Sequence, residues 1–327
     1  MGTMQINLSN KIQESLNIQY PIIQAAMNWI TDAKFVAAVS NAGGMGVIGP
    51  NAGPVEDTHL TSTEKLRNEI RKIKELTNKP FALNIFFPPN GDLQTENHSQ
   101  KYLDVAFEEG VQYFVSVGDV NERLIKSIKN QGAKLILREL TPTVEGAKLA
   151  ESLGADVIIA TGYDEGGWIP QNGGIGTFSI VPTIVNAVNI PVLAAGGIND
   201  IQAVRAALIL GADGVYVGTR FVVSEECPAA DKTKQDIINS SGSDLILVSD
   251  NQRSTPNNYA KKLEQMRLNG SSSDEVEQLI TQGGGLLPGM RLGNSNEGIV
   301  SVNTAIDRIK EIKSVKGIVD ELMEDFQ

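Results

Sequence analysis

Two glycine clusters in the second half of the chain have the composition of a phosphate-binding site. The segment AAGGI contains Gly196 and Gly197, and the segment GVYVGTRF contains Gly218 and Thr219. Because glycine has no side chain, its backbone N–H group can come close to an anionic oxygen, and threonine adds a hydroxyl donor. We predict that the two segments bind one phosphate together. The alternative is that these glycines only turn the chain.

A third glycine pair stands beside a tryptophan. The stretch YDEGGWIPQNGG contains Gly166 and Gly167 directly before Trp168. Adjacent glycines indicate backbone that takes a positive φ or lies against something large. We interpret this loop as one wall of a pocket for a bulky ligand.

A polar residue, Asn84, interrupts the apolar run FALNIFF. A buried amide needs hydrogen-bond partners. A ligand with ring donors and acceptors would supply them, and so would the backbone of a neighbouring strand. The sequence leaves both readings open.

Other reactive side chains are too few for several classes of site. A single cysteine, Cys227, excludes an internal disulfide and a cysteine-based zinc site. We expect it to be an unreactive thiol. The only two histidines, His59 and His98, occur in polar segments that we read as solvated loops. Histidine-dependent metal sites and catalytic triads are therefore not expected, and we predict no metal.

The charge and apolar patterns argue against large charged partners. The net charge is −11 without a basic stripe, which is atypical of proteins that bind nucleic acid or anionic membranes. No apolar run is long enough to span a bilayer, and the N-terminus shows no signal pattern. We expect a cytoplasmic protein that acts on a small molecule, with a homodimer among the open oligomeric states.

The elements that would position these residues follow an alternating pattern. Near-continuous apolar runs are typical of parallel strands that are buried on both faces. Eight such runs occur, at 21–27, 45–49, 81–87, 112–118, 134–140, 156–162, 191–197 and 214–220. Amphipathic helix patterns separate them, with Thr143 and Asn199 as candidate N-caps. The pattern predicts an α/β fold of the (β/α)8 TIM-barrel type, with an open doubly wound sheet as the alternative.

The rhythm changes after the eighth run. We predict a barrel core over 1–227, a polar lid or small lobe over 228–298, and a C-terminal part over 299–327. Within the C-terminal part, the apolar spacing from Asn303 to Met323 predicts one amphipathic helix that packs back on the barrel.

Several segments in order carry a resemblance to a known family. They are YPIIQAAMNW, SNAGGMGVIG, KPFALNIF, GYDEGGW, IPVLAAGGI and GADGVYVGTRFV. Together they resemble the FMN-dependent nitronate monooxygenases (2-nitropropane dioxygenase-like) and FabK-type enoyl-ACP reductases. The Met27–Trp29 segment looks closer to the enoyl reductase branch.

The resemblance implies an FMN at the barrel mouth. Its implied binding residues are Ala26, Met27, Asn84, Gly166, Gly167, Gly196, Gly197, Gly218 and Thr219. The last four would hold the phosphate, and the others would contact the flavin ring.

One position departs from the family pattern. Members of this family carry a histidine after the glycine pair as the candidate for proton transfer, and this chain has Trp168 there. Since indole is not an acid or base at physiological pH, no catalytic residue is assigned. Tyr163, Asp164 and Glu165 are near in sequence as other acids.

Three functions remain open at this point. The first expectation is oxidation of alkyl nitronates with O2, since a nitronate is already an anion and needs no base. The alternatives are reduction of an enoyl thioester with NAD(P)H as electron donor, and a flavin-binding protein that has lost turnover.

Overall fold

The computed structural model describes residues 10–56, 59–171 and 173–326. Residues 1–9 of the predicted barrel core and Asn172 of the glycine-rich loop lie outside the described residues. Eight parallel strands form the centre of the fold, one at each predicted apolar run. They are β1 (Ile22–Gln24), β2 (Gly46–Ile48), β3 (Phe81–Phe87), β4 (Tyr113–Gly118), β5 (Lys134–Glu139), β6 (Val157–Thr161), β7 (Val192–Ala195) and β8 (Gly214–Val217).

The strands form a ring. Their order is β1-β8-β7-β6-β5-β4-β3-β2, and a parallel bridge between Ile23 and Met45 joins β1 to β2. Each neighbouring pair is parallel. Helices that alternate with the strands pack on the outside of the ring. The predicted (β/α)8 barrel is confirmed.

The barrel helices alternate with the strands. They are α1 (Lys11–Leu16), α2 (Ala33–Asn41), α3 (Ser62–Leu76), α4 (Leu93–Glu108), α5 (Glu122–Asn130), α6 (Val144–Ser152), α7 (Thr177–Val185), α8 (Ile201–Ile209) and α9 (Thr219–Val222). Beyond them lie α10 (Asp231–Asn239), α11 (Asn258–Leu268), α12 (Ser273–Gln282) and α13 (Val315–Leu322). A short antiparallel pair, β9 (Ile246–Leu247) and β10 (Arg253–Ser254), precedes α11.

Side-chain caps explain where many of these helices begin. Thr143 accepts a hydrogen bond from Gly146 N at 2.9 Å, as predicted. The predicted cap at Asn199 is wrong by one residue, because Asp200 is the side chain that accepts from Ala203 N, at 2.9 Å. A carboxylate at this position satisfies an otherwise unpaired N–H group of the first turn. The Asn199 side chain therefore does not cap the helix, and it contacts Asn303 instead.

The core has an inner and an outer layer. The inner layer fills the ring of strands, and α1 contributes Ile12 and Leu16 to it. The outer layer lies between strands and helices and includes the fully buried Phe35, Phe114 and Phe221. A strand that faces both layers must be apolar on both sides, which is why the runs are nearly continuous rather than alternating.

The region after the barrel divides its apolar side chains between two clusters. Ala229, Ile237 and Met290 belong to the outer barrel core. A separate small cluster joins β9, α11 and α12 through Ile246, Val248, Ala260, Leu263, Val276 and Ile280. The predicted boundaries at 227 and 298 remain predictions.

The predicted continuous helix from Asn303 to Met323 is wrong. A 3-10 turn forms over Ile306–Arg308, and the helix α13 begins only after Ser314, whose side chain accepts from Gly317 N at 3.1 Å. Between them the backbone of Lys313 accepts from Glu225 N at 2.9 Å, so this segment runs beside the chain that follows β8. The apolar spacing was real, since Ile306 and Ile309 are buried, but a helical period does not exclude an extended segment.

The histidines lie outside the barrel interior. His59 is exposed in irregular structure, and His98 is exposed on α4, not in a loop as predicted. The His98 ring lies 5.1 Å from the ring of Tyr102. Among the described residues, no cluster of three or more potential metal ligands is present, and no helix is both long and apolar enough to cross a membrane.

Cys227 should not react with a thiol reagent while the protein is folded. The side chain is 2% exposed, and burial raises the pKa of its thiol to about 12, so the reactive thiolate is scarce at neutral pH. Ellman's reagent should label the wild type only after unfolding. The exposed position in Ser152→Cys provides a control that should react at once. Labelling of native wild type at the rate of that control would contradict the expectation.

Candidate active site

A cavity of about 270 Å³ opens at the carboxyl ends of the barrel strands. This is the end at which barrel enzymes bind their ligands. Its wall contains all nine residues predicted to bind the cofactor, namely Ala26, Met27, Asn84, Gly166, Gly167, Gly196, Gly197, Gly218 and Thr219. Trp168 lies in the same wall. The fold thus brings together residues that are separated by almost 200 positions.

The loop after β7 needs glycine at two positions. Gly196 and Gly197 have φ values of +103° and +72°, a region that side chains rarely adopt. A Cβ on Gly196 would also lie 2.6 Å from Thr177 Oγ1. Within the described ranges, the backbone N–H groups of both glycines donate to no protein acceptor. They are therefore free to bind an anion in the cavity.

The end of β8 adds two further donors. Gly218 precedes the short helix α9, and the N–H groups of Gly218 and Thr219 likewise have no acceptor in the part of the chain that the structure describes. The Thr219 hydroxyl accepts from Asn303 N at 3.0 Å, so its own proton remains available for a ligand. Four amides and one hydroxyl from two neighbouring strand ends thus share one wall.

Asn84 makes the structural hydrogen bond of the two sequence readings, and its contact with a ligand stays a prediction. Its side-chain amide donates to the Val115 carbonyl of the neighbouring strand at 3.2 Å, which is the structural hydrogen bond. The residue nevertheless lines the cavity and is only partly buried. The strand contact fixes the orientation of the amide and leaves its carbonyl oxygen for a ligand donor.

The segment after β1 is held by the neighbouring strand β8 and by a local hydrogen bond. Ala26 N donates to the hydroxyl of Tyr216 on β8 at 3.1 Å, and the Met27 carbonyl accepts from Thr31 at 2.9 Å. Burial raises the pKa of Tyr216, which keeps the hydroxyl protonated. These bonds fix the backbone of Ala26 and Met27 as an apolar wall.

Gly166 lies directly under a crossing segment of the C-terminal part. A Cβ there would be 2.5 Å from the Val302 carbonyl carbon and 2.6 Å from Asn303 N. The Gly166 carbonyl accepts a short hydrogen bond from the Ser301 hydroxyl. Trp168, which follows the pair, is 37% exposed at the rim of the cavity. The glycine loop therefore provides wall and rim, in agreement with the sequence interpretation.

Sequence reasoning missed the crossing segment. Asn303 and Asn199 exchange two side-chain hydrogen bonds of 2.8 and 2.9 Å, which tie the segment to the loop after β7. The Asp164 carbonyl, in the loop after β6, accepts from Thr304 N at 3.0 Å. Ser301 and Asn303 line the cavity as a result. No local pattern in the sequence indicates that a distant segment crosses here.

Sequence reasoning also missed a buried ion pair. Arg138 on β5 donates a short charge-assisted hydrogen bond to Glu165, and both residues line the cavity. Burial raises the pKa of Glu165 to about 7, although the positive charges of Arg138 and Arg253 oppose the shift. One signal was available, because an arginine inside the apolar run KLILREL needs a partner.

A second arginine supports the loop from the small-lobe side. Arg253 on β10 is buried, donates to the Tyr163 carbonyl at 2.7 Å, and lies over the Tyr163 ring at 4.8 Å. Burial lowers the pKa of Arg253, while the neighbouring acidic groups oppose that effect. The contact fixes the start of the loop and makes Tyr163 a packing residue.

Sequence comparisons identify the family of this chain. The profile of the family described as nitronate monooxygenase matches residues 9–325. A probable nitronate monooxygenase of Staphylococcus haemolyticus is 36% identical over an alignment of 276 residues, and the match covers 73% of this chain and 74% of that protein. A probable nitronate monooxygenase of Staphylococcus aureus is 34% identical over 274 residues, with the same two coverages.

Solved structures extend the likeness to the whole fold. FabK from Thermotoga maritima has a TM-score of 0.83 at 29% identity and covers 96% of this chain and 95% of its own. A nitroalkane oxidase from Streptomyces ansochromogenes has a TM-score of 0.77 at 22% identity, covers 96% of this chain and 97% of its own, and supports the fold alone. Because the family profile spans almost the entire chain and the curated relatives share about a third of their residues with it, this protein belongs to the nitronate monooxygenase family of oxidoreductases.

Proposed function

We propose that this protein is an FMN-dependent enzyme that oxidises alkyl nitronates with O2. The observation that carries the proposal is the convergence of four free backbone amides, the glycine loop and Asn84 on one cavity at the barrel mouth. Family membership supports the class of reaction.

The cavity wall fits a flavin phosphate. Gly196 and Gly197 have no Cβ and take positive φ, so their N–H groups can reach phosphate oxygens. Gly218 and Thr219 add donors from the next strand. Since these donors are amides, the net charge of −11 is no obstacle to binding an anion here. The wall formed by Ala26 and Met27 is apolar, as a flat aromatic ring requires.

The residues around the cavity have separate tasks in this proposal. A bound flavin supplies the electron transfer. The glycine loop and the crossing segment limit access of water. The Arg138 guanidinium attracts the anionic oxygens of a nitronate, and the Trp168 indole offers a flat apolar face at the rim.

Enoyl thioester reduction is the second candidate. It is favoured by the likeness to FabK from Thermotoga maritima over 96% of this chain. In that case NAD(P)H would supply the electrons, and a proton donor would be needed at the substrate carbon next to the thioester carbonyl.

The purified protein should be yellow, with a flavin absorption band at about 450 nm. Anaerobic mixing with an alkyl nitronate should bleach the band without a nicotinamide, because the nitronate itself supplies the electrons. Stopped-flow absorbance follows this bleaching, and admission of O2 should restore the band. Colourless protein that does not take up FMN would contradict the proposal.

The same measurement separates the alternatives. Bleaching by NADH or NADPH, followed by reoxidation with an enoyl thioester and no response to nitronate, indicates the reductase. A bound flavin that none of these compounds reduces indicates a binding protein that has lost turnover.

A further inference from the structure

Glu165, which forms a buried ion pair with Arg138, is the charged residue of the cavity that the proposed function leaves without a role. Glu165 is 9% and Arg138 is 7% exposed. Arg138 also donates from Nε to Thr161 at 3.2 Å, so its guanidinium is held at two points. The second carboxylate oxygen, Glu165 Oε1, has no hydrogen-bond partner among the described residues. A buried carboxylate oxygen without a donor indicates a functional constraint.

The neighbouring acidic groups have other contacts. Asp164 accepts from Thr177 N at 2.7 Å, and Tyr163 packs under Arg253. Neither of them lines the cavity, whereas Glu165 does. Of the three acids that stand near the glycine pair in sequence, the fold therefore presents only Glu165 to a bound substrate.

Other charges reach Glu165 from each surrounding element. Arg138 approaches from β5 and Arg253 from β10, and both favour the carboxylate form. Tyr216 on β8 is also within electrostatic range of the pair and stays neutral. Since the arginines favour the charged form and burial favours the neutral form, the group can both accept and release a proton near neutral pH.

We propose that Glu165 is the general base that removes the α-proton from neutral nitroalkanes, in place of the histidine that Trp168 replaces. The proposal rests on the proposed function and adds neutral nitroalkanes with an α-hydrogen to its substrates. The Glu165 carboxylate forms an O–H bond as the α-C–H bond breaks. The electron pair of that bond moves to a nitro oxygen and yields the nitronate. The proton on Glu165 then leaves to water, which restores the base.

Arg138 acts in this step as well. Its guanidinium carries five N–H donors, of which two are used by Glu165 and Thr161. The remaining donors can stabilise the negative charge that develops on the nitro oxygen. Since the ionised form of Glu165 accepts the proton, kcat/KM for a neutral nitroalkane should rise as the pH increases through about 7.

Glu165→Gln should lower the ratio of kcat/KM for freshly diluted neutral nitroethane to kcat/KM for preformed ethyl nitronate by about 100-fold or more. The rising limb of the nitroethane pH profile should disappear. Glu139→Gln is the matched control, because burial raises the pKa of Glu139 to about 7 as well, yet this neighbour of Arg138 does not line the cavity. Glu139→Gln should keep the wild-type ratio of the two kcat/KM values and the rising limb of the nitroethane pH profile.

An infrared titration of the flavin-bound protein gives a readout that does not depend on turnover. Lowering the pH through about 7 should produce a protonated-carboxyl band to which Glu139 and Glu165 both contribute. Each single glutamine variant should remove one part of the band. An unchanged band in Glu165→Gln would overturn the proposal.

A second variant and the wild-type assay with nitronate distinguish failure of the role of Glu165 from failure of the proposed function. If Glu165→Gln does not fold, the neutral pair Arg138→Gln/Glu165→Gln replaces it, and the same loss of the ratio is expected. An unchanged ratio in either variant overturns the role of Glu165. Wild type that fails to oxidise the nitronate instead refutes the proposed function.

Discussion

Gly166→Ala should destabilise the protein by at least about 3 kcal/mol, the upper end of the usual cost of overpacking. The new Cβ would lie 2.5 Å from the Val302 carbonyl carbon, which is backbone and cannot rotate away. The crossing segment is also held by the paired amides of Asn199 and Asn303, so it cannot shift alone. Urea unfolding should show a lower midpoint with an unchanged slope. Binding of the proposed FMN should weaken, because the same segment completes the cavity wall.

The adjacent glycine provides the matched control. In Gly167→Ala, the new Cβ would meet only Glu165 Oε2, at 3.9 Å, which is an ordinary contact. Both variants add the same methyl group to the same loop. Equal losses of stability would show that Gly166 is needed for chain flexibility, not for the close approach of residues 302–303.

Arg138→Gln should destabilise the protein by about 3–5 kcal/mol at pH 8.5, which is the usual cost of removing one member of a buried ion pair and leaving the other charge without a partner. The loss should be smaller at pH 5.5. Removal of the guanidinium raises the pKa of Glu165 further, and a protonated Glu165 at the lower pH does not need a cation. Chemical unfolding at the two pH values measures the difference.

The double variant Arg138→Gln/Glu165→Gln tests the cause. It removes both charges and should recover most of the loss at pH 8.5. The sign of the wild-type pH dependence follows from the pKa of about 7 for Glu165, against the ordinary value of 4.5. The folded protein binds the extra proton between these values, so the contribution of Glu165 to the free energy of unfolding falls as the pH rises through that range. A double variant as unstable as Arg138→Gln would contradict this account.

Much of the fold follows from periodicity in the sequence. A parallel strand with helices outside and packed side chains inside must be apolar on both faces, so its sequence is a nearly continuous apolar run. The final helix shows the limit of that signal. Ile306 and Ile309 have helical spacing, yet only Val315–Leu322 forms the predicted α-helix, because Lys313 and its neighbours run beside the chain after β8 instead.

The candidate site likewise contains some residues that a short segment predicts and others that only the fold brings together. Glycine pairs at strand ends are local signals, since positive φ and close approach are properties of a few consecutive residues. Arg138 and Glu165 are 27 positions apart, and each resembles an ordinary charged residue until the barrel places both beside one cavity.

By itself, the sequence determined the barrel, the family resemblance and the glycine-lined wall, since each depends on short runs of consecutive residues. Only the tertiary structure decided which acid meets the cavity, what covers Gly166 and how the amide of Asn84 is held. These depend on contacts between distant segments, whose energies come from burial and charge proximity that no local pattern records.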